Sequence, residues 1–334
     1  MFYDYNKCIN KNCLFNFIVG ERGNGKTYGY KKIALENYFK RKEKFCYIRR
    51  TDTELSKAAK TFFEDIGKEY PEYEFKTRTG KDGTFFYIKH GAKEPLELIG
   101  FGVSVNVGTK DKSVSYDGVT TICFDEFMGV KYLKDEVNSF LNLYETIARL
   151  KDIPVYFLSN AMSVSNPYFD YFEVRLPYGK KRYTVSKDQL IYLEICYSEE
   201  YRKVKNETRF GQLIKDTDYG HHAIENEFFL DTNSFIKKKN GSAKPILNIA
   251  FNSKTYGLWF DRRSGECTLS DDLGSNVPEV AITDDDHKPN RFYVKRGRKI
   301  AWLNLMINAY EAGFLYFENQ RIKRIGAEIL RIIR

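Results

Sequence analysis

Residues 14–27 read Leu-Phe-Asn-Phe-Ile-Val-Gly-Glu-Arg-Gly-Asn-Gly-Lys-Thr. This stretch opens with an apolar run of strand length and ends in the spacing G-x-x-x-x-G-K-T. Beyond Thr27, apolar and charged residues recur at helical spacing. A strand, a glycine loop and a helix in this order are the context that a P-loop requires. A glycine turn before a surface helix is the alternative, and the flanking elements favour nucleotide binding over it.

The P-loop pattern gives each residue type a role. Glycines let backbone N–H groups approach a phosphate chain, and the N-terminus of the following helix adds positive charge. Lys26 would reach the outer phosphates, and the Thr27 hydroxyl would bind Mg²⁺. We therefore predict an ATP–Mg²⁺ site. The predicted nucleotide-binding residues of the loop are Gly20, Glu21, Arg22, Gly23, Asn24, Gly25, Lys26 and Thr27.

A second segment supplies the acidic half of this site. Residues 121–126 read Thr-Ile-Cys-Phe-Asp-Glu, an apolar strand that ends in two carboxylates, which is the Walker B arrangement. Asp125 would hold Mg²⁺ through water, and Glu126 would be the general base that polarises the attacking water. An acidic transition from strand to loop is common by itself. Its pairing with a P-loop favours the nucleotide interpretation.

Further candidates for the γ-phosphate lie elsewhere in the chain. Ser159 and Asn160 end the next apolar strand, where they could sense hydrolysis; a polar strand end before a loop explains them equally well. Arg149 ends a predicted helix and could supply positive charge to a neighbouring subunit, although an arginine there is more often a surface residue. Arg22 is placed for contacts with phosphates or with Glu126.

Composition sets wider limits on the protein. The chain has 334 residues, which is long enough for two domains. Its net charge of +9 and pI of about 9.0 favour a polyanionic partner, with simple solubility as the alternative. The 6 cysteines and 4 histidines show no metal-site spacing, so we expect a reduced, cytosolic protein. We expect neither a signal peptide nor a membrane-spanning segment.

The order of elements predicts the fold class. Strands that alternate with helices predict an α/β fold with a mainly parallel sheet covered on both faces. We assign residues 1–195 to a P-loop ATPase motor domain, 196–230 to a linker and 231–334 to a second α+β domain. The linker is predicted because its dense charge is typical of a solvated helix. A hairpin over 245–261 and two closing helices are expected in the second domain.

Basic clusters are candidate phosphate contacts. A protein that passes every DNA sequence needs Lys and Arg on phosphates rather than base contacts. Each cluster alone is usually a solvated face, and those after residue 230 could equally contact a scaffold, a portal or RNA. The clusters are Lys110 with Lys112, residues 180–182, residues 237–239 and residues 295–299.

Several short blocks closely resemble the DNA-packaging ATPases of small protein-primed tailed phages. They follow the family's order over the first two-thirds of the chain, and the final third matches more weakly. The P-loop is shared by many ATPases, whereas Asp-Glu-Phe with Leu-Ser-Asn-Ala and Asn-Pro-Tyr-Phe is far more specific. The blocks are residues 20–27, 47–50, 121–127, 158–161, 165–169 and 208–211, with a weaker match at 257–261 and in the last helix.

The resemblance implies the additional-strand ATPase fold of terminase large subunits. It implies a ring, a pentamer, that docks on the portal vertex and drives double-stranded DNA into a preformed capsid. By the same resemblance Arg149 acts in trans, Lys112 lies at the subunit interface, and Arg49 and Arg50 lie near the catalytic glutamate or the DNA. The second domain would be related to ribonuclease H-like nucleases but without their metal-binding carboxylates.

The acidic residues of the second domain can be compared with that expectation. A two-metal nuclease needs several Asp or Glu that converge from strand ends. Here the first predicted strand ends at Asn252, Asp261 ends the next, and residues 284–286 are three aspartates in a loop. We therefore expect no nuclease activity and interpret residues 284–286 as solvated loop charge.

Together these patterns predict an ATP-hydrolysing translocase of double-stranded DNA that packages a viral genome. It would act in the host cytoplasm on the assembling procapsid, as a homo-oligomeric ring in contact with duplex DNA and the portal, without a membrane. A structural RNA partner stays open. The alternatives are a replication helicase and a nucleotide-gated DNA-binding assembly protein that does not hydrolyse ATP; intact Glu126 argues against the latter.

Overall fold

The computed structural model describes the chain in segments. Residues 1–163 and 167–229 form one compact unit, and residues 164–166 and 230–334 form a second. None of the described helices is long and apolar enough to cross a membrane. The described residues are 3–20, 22–80, 83–91, 94–106, 114–129, 133, 135–160, 166–174, 183–196, 198–214, 234–294 and 301–333.

The first unit consists of a large sheet and helices of varied length. Its strands are β1 (Phe15–Gly20), β2 (Lys44–Arg49), β3 (Tyr73–Gly80), β4 (Gly83–His90), β5 (Glu97–Ser104), β6 (Val119–Asp125), β7 (Val155–Asn160), β8 (Tyr183–Val185) and β9 (Ile191–Cys196). Its described helices are α1 (Asn6–Ile9), α2 (Lys26–Arg41), α3 (Asp52–Lys60), α4 (Glu136–Ala148), α5 (Pro167–Tyr171), α6 (Glu199–Glu207) and α7 (Arg209–Ile214), with a 3₁₀ turn at Ile66–Glu69.

The strands of the first unit form one 9-stranded sheet in the order β3-β4-β5-β2-β6-β7-β1-β9-β8. The run from β5 to β9 is parallel, and β3, β4 and β8 pair antiparallel at the two sides. The predicted mainly parallel α/β sheet is therefore confirmed. Because β1 lies between β7 and β9, the P-loop leaves an interior strand of the sheet, on the same edge as the carboxyl ends of β6 and β7.

The chain contains 26 Phe and 25 Tyr residues, and many of their side chains lie in the core of the first unit. Strand β1 is buried at all 6 positions, as expected of a strand covered on both faces. Phe17 of β1 stacks on Phe157 of β7 with ring centroids 4.2 Å apart, and Phe124 of β6 stacks on Phe140 of α4 at 5.4 Å. The helix after the Walker B strand is thereby packed onto the strands that carry the site. The 6 cysteines are all free and buried.

Strands β8 and β9 are absent from the sequence prediction. Strand β8 has only 3 residues, and Glu194 interrupts the apolar run of β9. The Glu194 carboxylate is buried and accepts hydrogen bonds from the hydroxyls of Tyr3, over 2.6 Å, and Tyr192, over 2.7 Å. A satisfied buried carboxylate is compatible with a central strand, but sequence pattern alone does not reveal its partners.

In the described part of the second unit, a mixed sheet packs with two helices. The predicted hairpin and last helix are confirmed, and the α9 isoleucines at 322, 325 and 329 enter the apolar core. The sheet order is β14-β13-β10-β11-β12-β15. Its elements are β10 (Lys244–Phe251), β11 (Lys254–Asp261), β12 (Glu266–Ser270), β13 (Glu279–Ala281), β14 (Phe292–Tyr293), α8 (Ala301–Glu311), β15 (Leu315–Phe317) and α9 (Gln320–Ile333).

Candidate nucleotide site

The P-loop follows a backbone path that needs glycine. Gly23 has φ +89°, and Gly25, the N-cap of α2, has φ 78°, a region that residues with a Cβ rarely adopt. Gly20 lies against β9, because a Cβ there would meet the Cys196 carbonyl oxygen at 2.2 Å. The predicted loop glycines are thus set by backbone conformation and close packing. Glu21 lies outside the described residues.

The N-terminal segment contacts the P-loop backbone. The Tyr3 N–H donates to the Asn24 carbonyl over 2.9 Å, and the Tyr5 hydroxyl donates to the Lys26 carbonyl over 2.7 Å. The Tyr5 ring also packs on Gly29 of α2, where a Cβ would come within 2.9 Å of it. These contacts pre-organise the loop, so a phosphate ligand would have less backbone to order.

Lys26 begins α2 and its side chain is buried. Its ammonium donates to the Gly20 carbonyl and to the Asn24 side-chain oxygen, each over 3.2 Å. Asn24 is buried as well, and its amide donates to the Cys196 sulfur over 3.0 Å. A positive charge is therefore positioned inside the loop, where it can neutralise phosphate oxygens.

Thr27 and Asp125 meet across the site. The Thr27 hydroxyl donates to one Asp125 oxygen over 3.0 Å. The other Asp125 oxygen accepts from the Tyr47 hydroxyl over 2.7 Å and from the Arg49 guanidinium over 3.0 Å. A hydroxyl and a carboxylate oxygen are hard ligands of the kind Mg²⁺ prefers, and Mg²⁺ usually takes only one or two carboxylates and keeps several waters. The two predicted metal-binding residues thus fit Mg²⁺.

Glu126 follows β6 in a left-handed conformation, with φ 54°. Its carboxylate accepts a hydrogen bond from the Asn160 amide over 3.3 Å, so the structure brings both predicted residues together. Burial, with the neighbouring Asp125 charge, raises the Glu126 pKa above that of a free carboxyl, and Arg49, Lys26 and Arg22 oppose the rise. A half-buried carboxylate with a raised pKa is suited to accept a proton.

Arg49 and Arg50 have different surroundings. Arg49 lies at the end of β2, ion-paired to Asp125. Burial acts to lower its pKa, but Tyr47 and Asp125 outweigh it, and the net pKa is raised, so the guanidinium stays charged. Arg50 is buried and donates two hydrogen bonds to Glu136, over 2.8 and 2.7 Å. The expectation that Arg49 and Arg50 lie near the catalytic glutamate or the DNA stays a prediction.

Arg149 caps the C-terminus of α4 and is exposed. Its φ is 44°, and its N–H donates to the Glu145 carbonyl over 3.0 Å, so the chain turns sharply there. Leu150, next along, has φ 69° and is also fully exposed. The structure therefore presents the Arg149 side chain to solvent. Lys112 lies outside the described residues.

The carboxylates of the second unit are used structurally. Asp286 is buried and accepts the backbone N–H groups of Asn252 and Ser253, over 2.9 and 2.8 Å, at the β10–β11 turn. The interpretation of residues 284–286 as solvated charge is therefore wrong for Asp286. Asp261 accepts the Arg263 N–H over 3.0 Å together with several side-chain donors. Among the described residues, no group of three or more His, Cys, Asp or Glu side chains could hold a metal ion.

Two of the predicted basic residues are already paired. Lys237 contacts both carboxylate oxygens of Glu266 at 2.7 Å, and Lys239 pairs with Asp272. This reduces the positive charge that residues 237–239 offer to a polyanion. The clusters at Lys110 and Lys112, 180–182 and 295–299 fall outside the described residues.

Tyr47, Glu136 and Tyr201 were not predicted from the sequence. Tyr47 and Arg49 are two residues apart on β2, so strand alternation could have placed both on the Asp125 side. Glu136 begins α4, and only the fold shows that it neutralises Arg50. The Tyr201 hydroxyl donates to the Arg22 carbonyl over 2.8 Å, a contact between residues far apart in sequence that no local pattern indicates.

Comparisons with known proteins agree with one another along the chain. A family model for the podovirus DNA encapsidation protein (Gp16) matches residues 1–334. The chain is 34% identical over 342 residues to the DNA packaging protein of Bacillus phage PZA, which covers 100% of this chain and 98% of the relative.

Two solved structures extend this similarity to the fold. A chain of the bacteriophage phi29 viral genome packaging motor assembly is 33% identical, with a TM-score of 0.74 over 100% of this chain and 99% of that chain. The N-terminal domain of the DNA packaging ATPase from bacteriophage phi29 is 35% identical, with a TM-score of 0.52 over 60% of this chain and 98% of that chain.

Proposed function

The chain belongs to the podovirus DNA encapsidation protein family, and from this premise we propose that it is the ATP-hydrolysing subunit of a viral packaging motor. The resemblance carried by the sequence motifs is thereby confirmed, and so is the general role in DNA packaging. The finer assignments below, which concern residues, ring and partners, are proposals.

One observation carries the proposed hydrolysis: the Thr27 hydroxyl lies 3.0 Å from the Asp125 carboxylate. The P-loop and the Walker B strand, nearly a hundred residues apart in sequence, thus converge on one point. Lys26 lies in the loop beside them, and Glu126 follows Asp125 directly. A metal-bound triphosphate needs a hydroxyl, a carboxylate, an ammonium and a nearby base, and these side chains supply all of them.

The side chains divide the chemistry between them. Backbone N–H groups of residues 20–27 and the Lys26 ammonium bind and orient phosphates, while Thr27 and Asp125 hold Mg²⁺, which stabilises negative charge on the transferred phosphoryl group. Glu126 takes the proton of the attacking water. Asn160, bonded to Glu126 over 3.3 Å, orients that carboxylate and responds to loss of the γ-phosphate.

A ring arrangement would complete the site from a neighbouring copy. Hydrolysis by a P-loop needs positive charge at the transition state, and the exposed Arg149 is positioned on a sharp turn that presents it outward. We assign Arg149 as this residue, acting in trans, with Lys112 at the same interface and Arg22 in local contact with the phosphates. The ring would be a pentamer at the portal.

DNA and partner contacts are proposed on charge. The net charge of +9 suits contacts with phosphates, which a motor needs because it passes every sequence. We propose residues 1–195 as motor, 196–230 as linker and 231–334 as a vestigial nuclease-like domain, since Asp261 and Asp286 are bonded within turns. The partners of the chain would be duplex DNA and the portal on the assembling procapsid in the host, and a structural RNA partner stays open.

The ATPase rate with and without blunt duplex DNA, measured against oligomer size, tests this function. We expect DNA-stimulated hydrolysis in the assembled ring and little in monomers. Mixing Arg149→Ala with Lys26→Ala subunits should restore part of the rate, because each supplies what the other lacks. Strand separation on a tailed duplex would instead indicate a helicase, and nucleotide binding without hydrolysis would indicate a gated assembly protein.

A further inference from the structure

Helix α6 lies against the P-loop through Tyr201. The Tyr201 hydroxyl donates a hydrogen bond to the Arg22 carbonyl over 2.8 Å. It also faces Gly23, where a Cβ would meet the hydroxyl oxygen at 2.3 Å. The absence of a side chain at position 23 therefore serves two purposes: it permits a φ of +89° and it makes room for a tyrosine from another part of the chain.

The start of α6 is tied to the same loop. Cys196, the last residue of β9, packs on Gly20, and its sulfur accepts a hydrogen bond from Asn24 over 3.0 Å. Ser198 is the N-cap of α6, and its hydroxyl accepts the Tyr201 N–H over 3.1 Å. The loop and the N-terminal turn of α6 thus form a continuous network of contacts.

The rest of α6 is largely exposed and packs on α7. Among residues 199–201 and 203–207, no side chain is buried, and Tyr201 and Lys205 are half-buried. The Lys205 ammonium lies over the Tyr201 ring, 5.6 Å from its centroid. A helix with little buried apolar surface gains little from the hydrophobic effect, so the polar contact of Tyr201 with the P-loop contributes to fixing its position.

We propose that Tyr201 is a positioning residue that couples the conformation of the P-loop to the position of α6. The inference rests on the nucleotide site proposed above. Phosphate binding acts on the loop backbone that carries the Arg22 carbonyl, so it changes the strength of the Tyr201 hydrogen bond. Coupling is reciprocal: a ligand that steadies α6 through the loop binds more tightly when α6 is in place.

The place of α6 in the chain gives this coupling a consequence. Helices α6 and α7 are the last described elements before residue 234, and so the chain continues through them towards residues 230–334. Because α6 lies within residues 196–230, the segment proposed as the linker, a change at the P-loop that shifts α6 acts on the linker itself. Tyr201 would transmit nucleotide state out of the ATPase unit without touching the nucleotide.

The test is hydrogen exchange of residues 199–214 in the full chain, with and without MgADP, together with MgADP affinity. Tyr201→Phe removes only the hydroxyl, and Tyr171→Phe, at an exposed tyrosine of α5, is the matched control. We expect MgADP to slow exchange in the unmodified chain and in Tyr171→Phe. In Tyr201→Phe the slowing is lost, and the dissociation constant rises roughly two- to tenfold, the usual range for one neutral hydrogen bond.

Two results would overturn the coupling alone: MgADP binding without slowed exchange in the unmodified chain, or full slowing retained in Tyr201→Phe. Failure of the unmodified chain to bind MgADP or MgATP would instead remove the proposed nucleotide site, and the coupling with it. The direct binding measurement separates these cases.

Discussion

The carboxylates of the two units contrast in what surrounds them. Asp125 in the first unit is bonded by side chains alone, from Thr27, Tyr47 and Arg49. Asp286 in the second unit accepts two backbone N–H groups of a turn, together with the Thr283 hydroxyl. Side chains can rotate away to admit a ligand, whereas backbone donors leave only if the turn opens. Both carboxylates are buried, so burial alone does not distinguish a functional carboxylate from a structural one. We infer that a functional carboxylate is distinguished by partners that a ligand can displace.

Among the substitutions considered, Arg149→Ala in the first unit should have the largest effect on the ATPase rate. If Arg149 supplies charge to a neighbouring site, the DNA-stimulated rate of the assembled ring falls by roughly 10³-fold or more. Lys151→Ala, at an exposed cation two residues on, is the control and should keep the rate. Equal rates for the two variants at the same oligomer size would contradict the assignment of Arg149.

Glu126→Gln should have the next largest effect on the ATPase rate. The amide cannot take a proton from water, so hydrolysis falls by roughly 10²- to 10⁴-fold while MgATP is still bound. Glu145→Gln on α4 changes an exposed carboxylate in the same way and should leave the rate unchanged. The rates are measured by phosphate release at saturating ATP, and an undiminished rate in Glu126→Gln would show that another group is the base.

Glu136→Gln tests the buried ion pair with Arg50. It leaves a buried guanidinium without its charge partner, which costs about 3–5 kcal/mol of unfolding free energy. Urea unfolding of this variant beside Glu145→Gln measures the difference. A loss no larger than that of the exposed control would mean that the pair does not fix α4 to β2.

Asp286→Asn should have the smallest effect, and it tests whether the carboxylate of the second unit has only a structural role. The amide keeps one acceptor oxygen for two backbone donors, so we expect a loss of about 1–3 kcal/mol in stability and an unchanged ATPase rate per folded molecule. Asp284→Asn, at an exposed carboxylate, is the control. A strong fall in hydrolysis for Asp286→Asn would place that residue in function rather than in a turn.

The parts of the site that follow from sequence are those with local signatures. Gly23, Gly25 and Lys26 could be predicted because one backbone path needs them at fixed spacing. Asp125 could be predicted because it ends an apolar strand. Both motifs lie at the carboxyl ends of parallel strands. The fold class could be predicted because strands and helices alternate along the chain.

The remaining parts depend on contacts between distant segments. Glu194 in β9, Glu136 beside Arg50 and Tyr201 beside Gly23 acquire their roles only from partners many residues away. Sequence alone predicts that a charged residue is exposed, because its partner is not known. For this reason β9 was not predicted as a strand, and Asp286 was wrongly predicted to be solvated. An ion pair or hydrogen bond between distant segments produces no periodic pattern in the sequence.

The most direct test of the central claim, that Thr27 and Asp125 share one metal on a bound triphosphate, is ATP affinity with and without Mg²⁺. It is measured by calorimetry in the unmodified chain, in Thr27→Ala and in Asp125→Asn. We predict that Mg²⁺ strengthens ATP binding in the unmodified chain and that each variant loses most of this dependence. Equal Mg²⁺ dependence in all three proteins would contradict the claim.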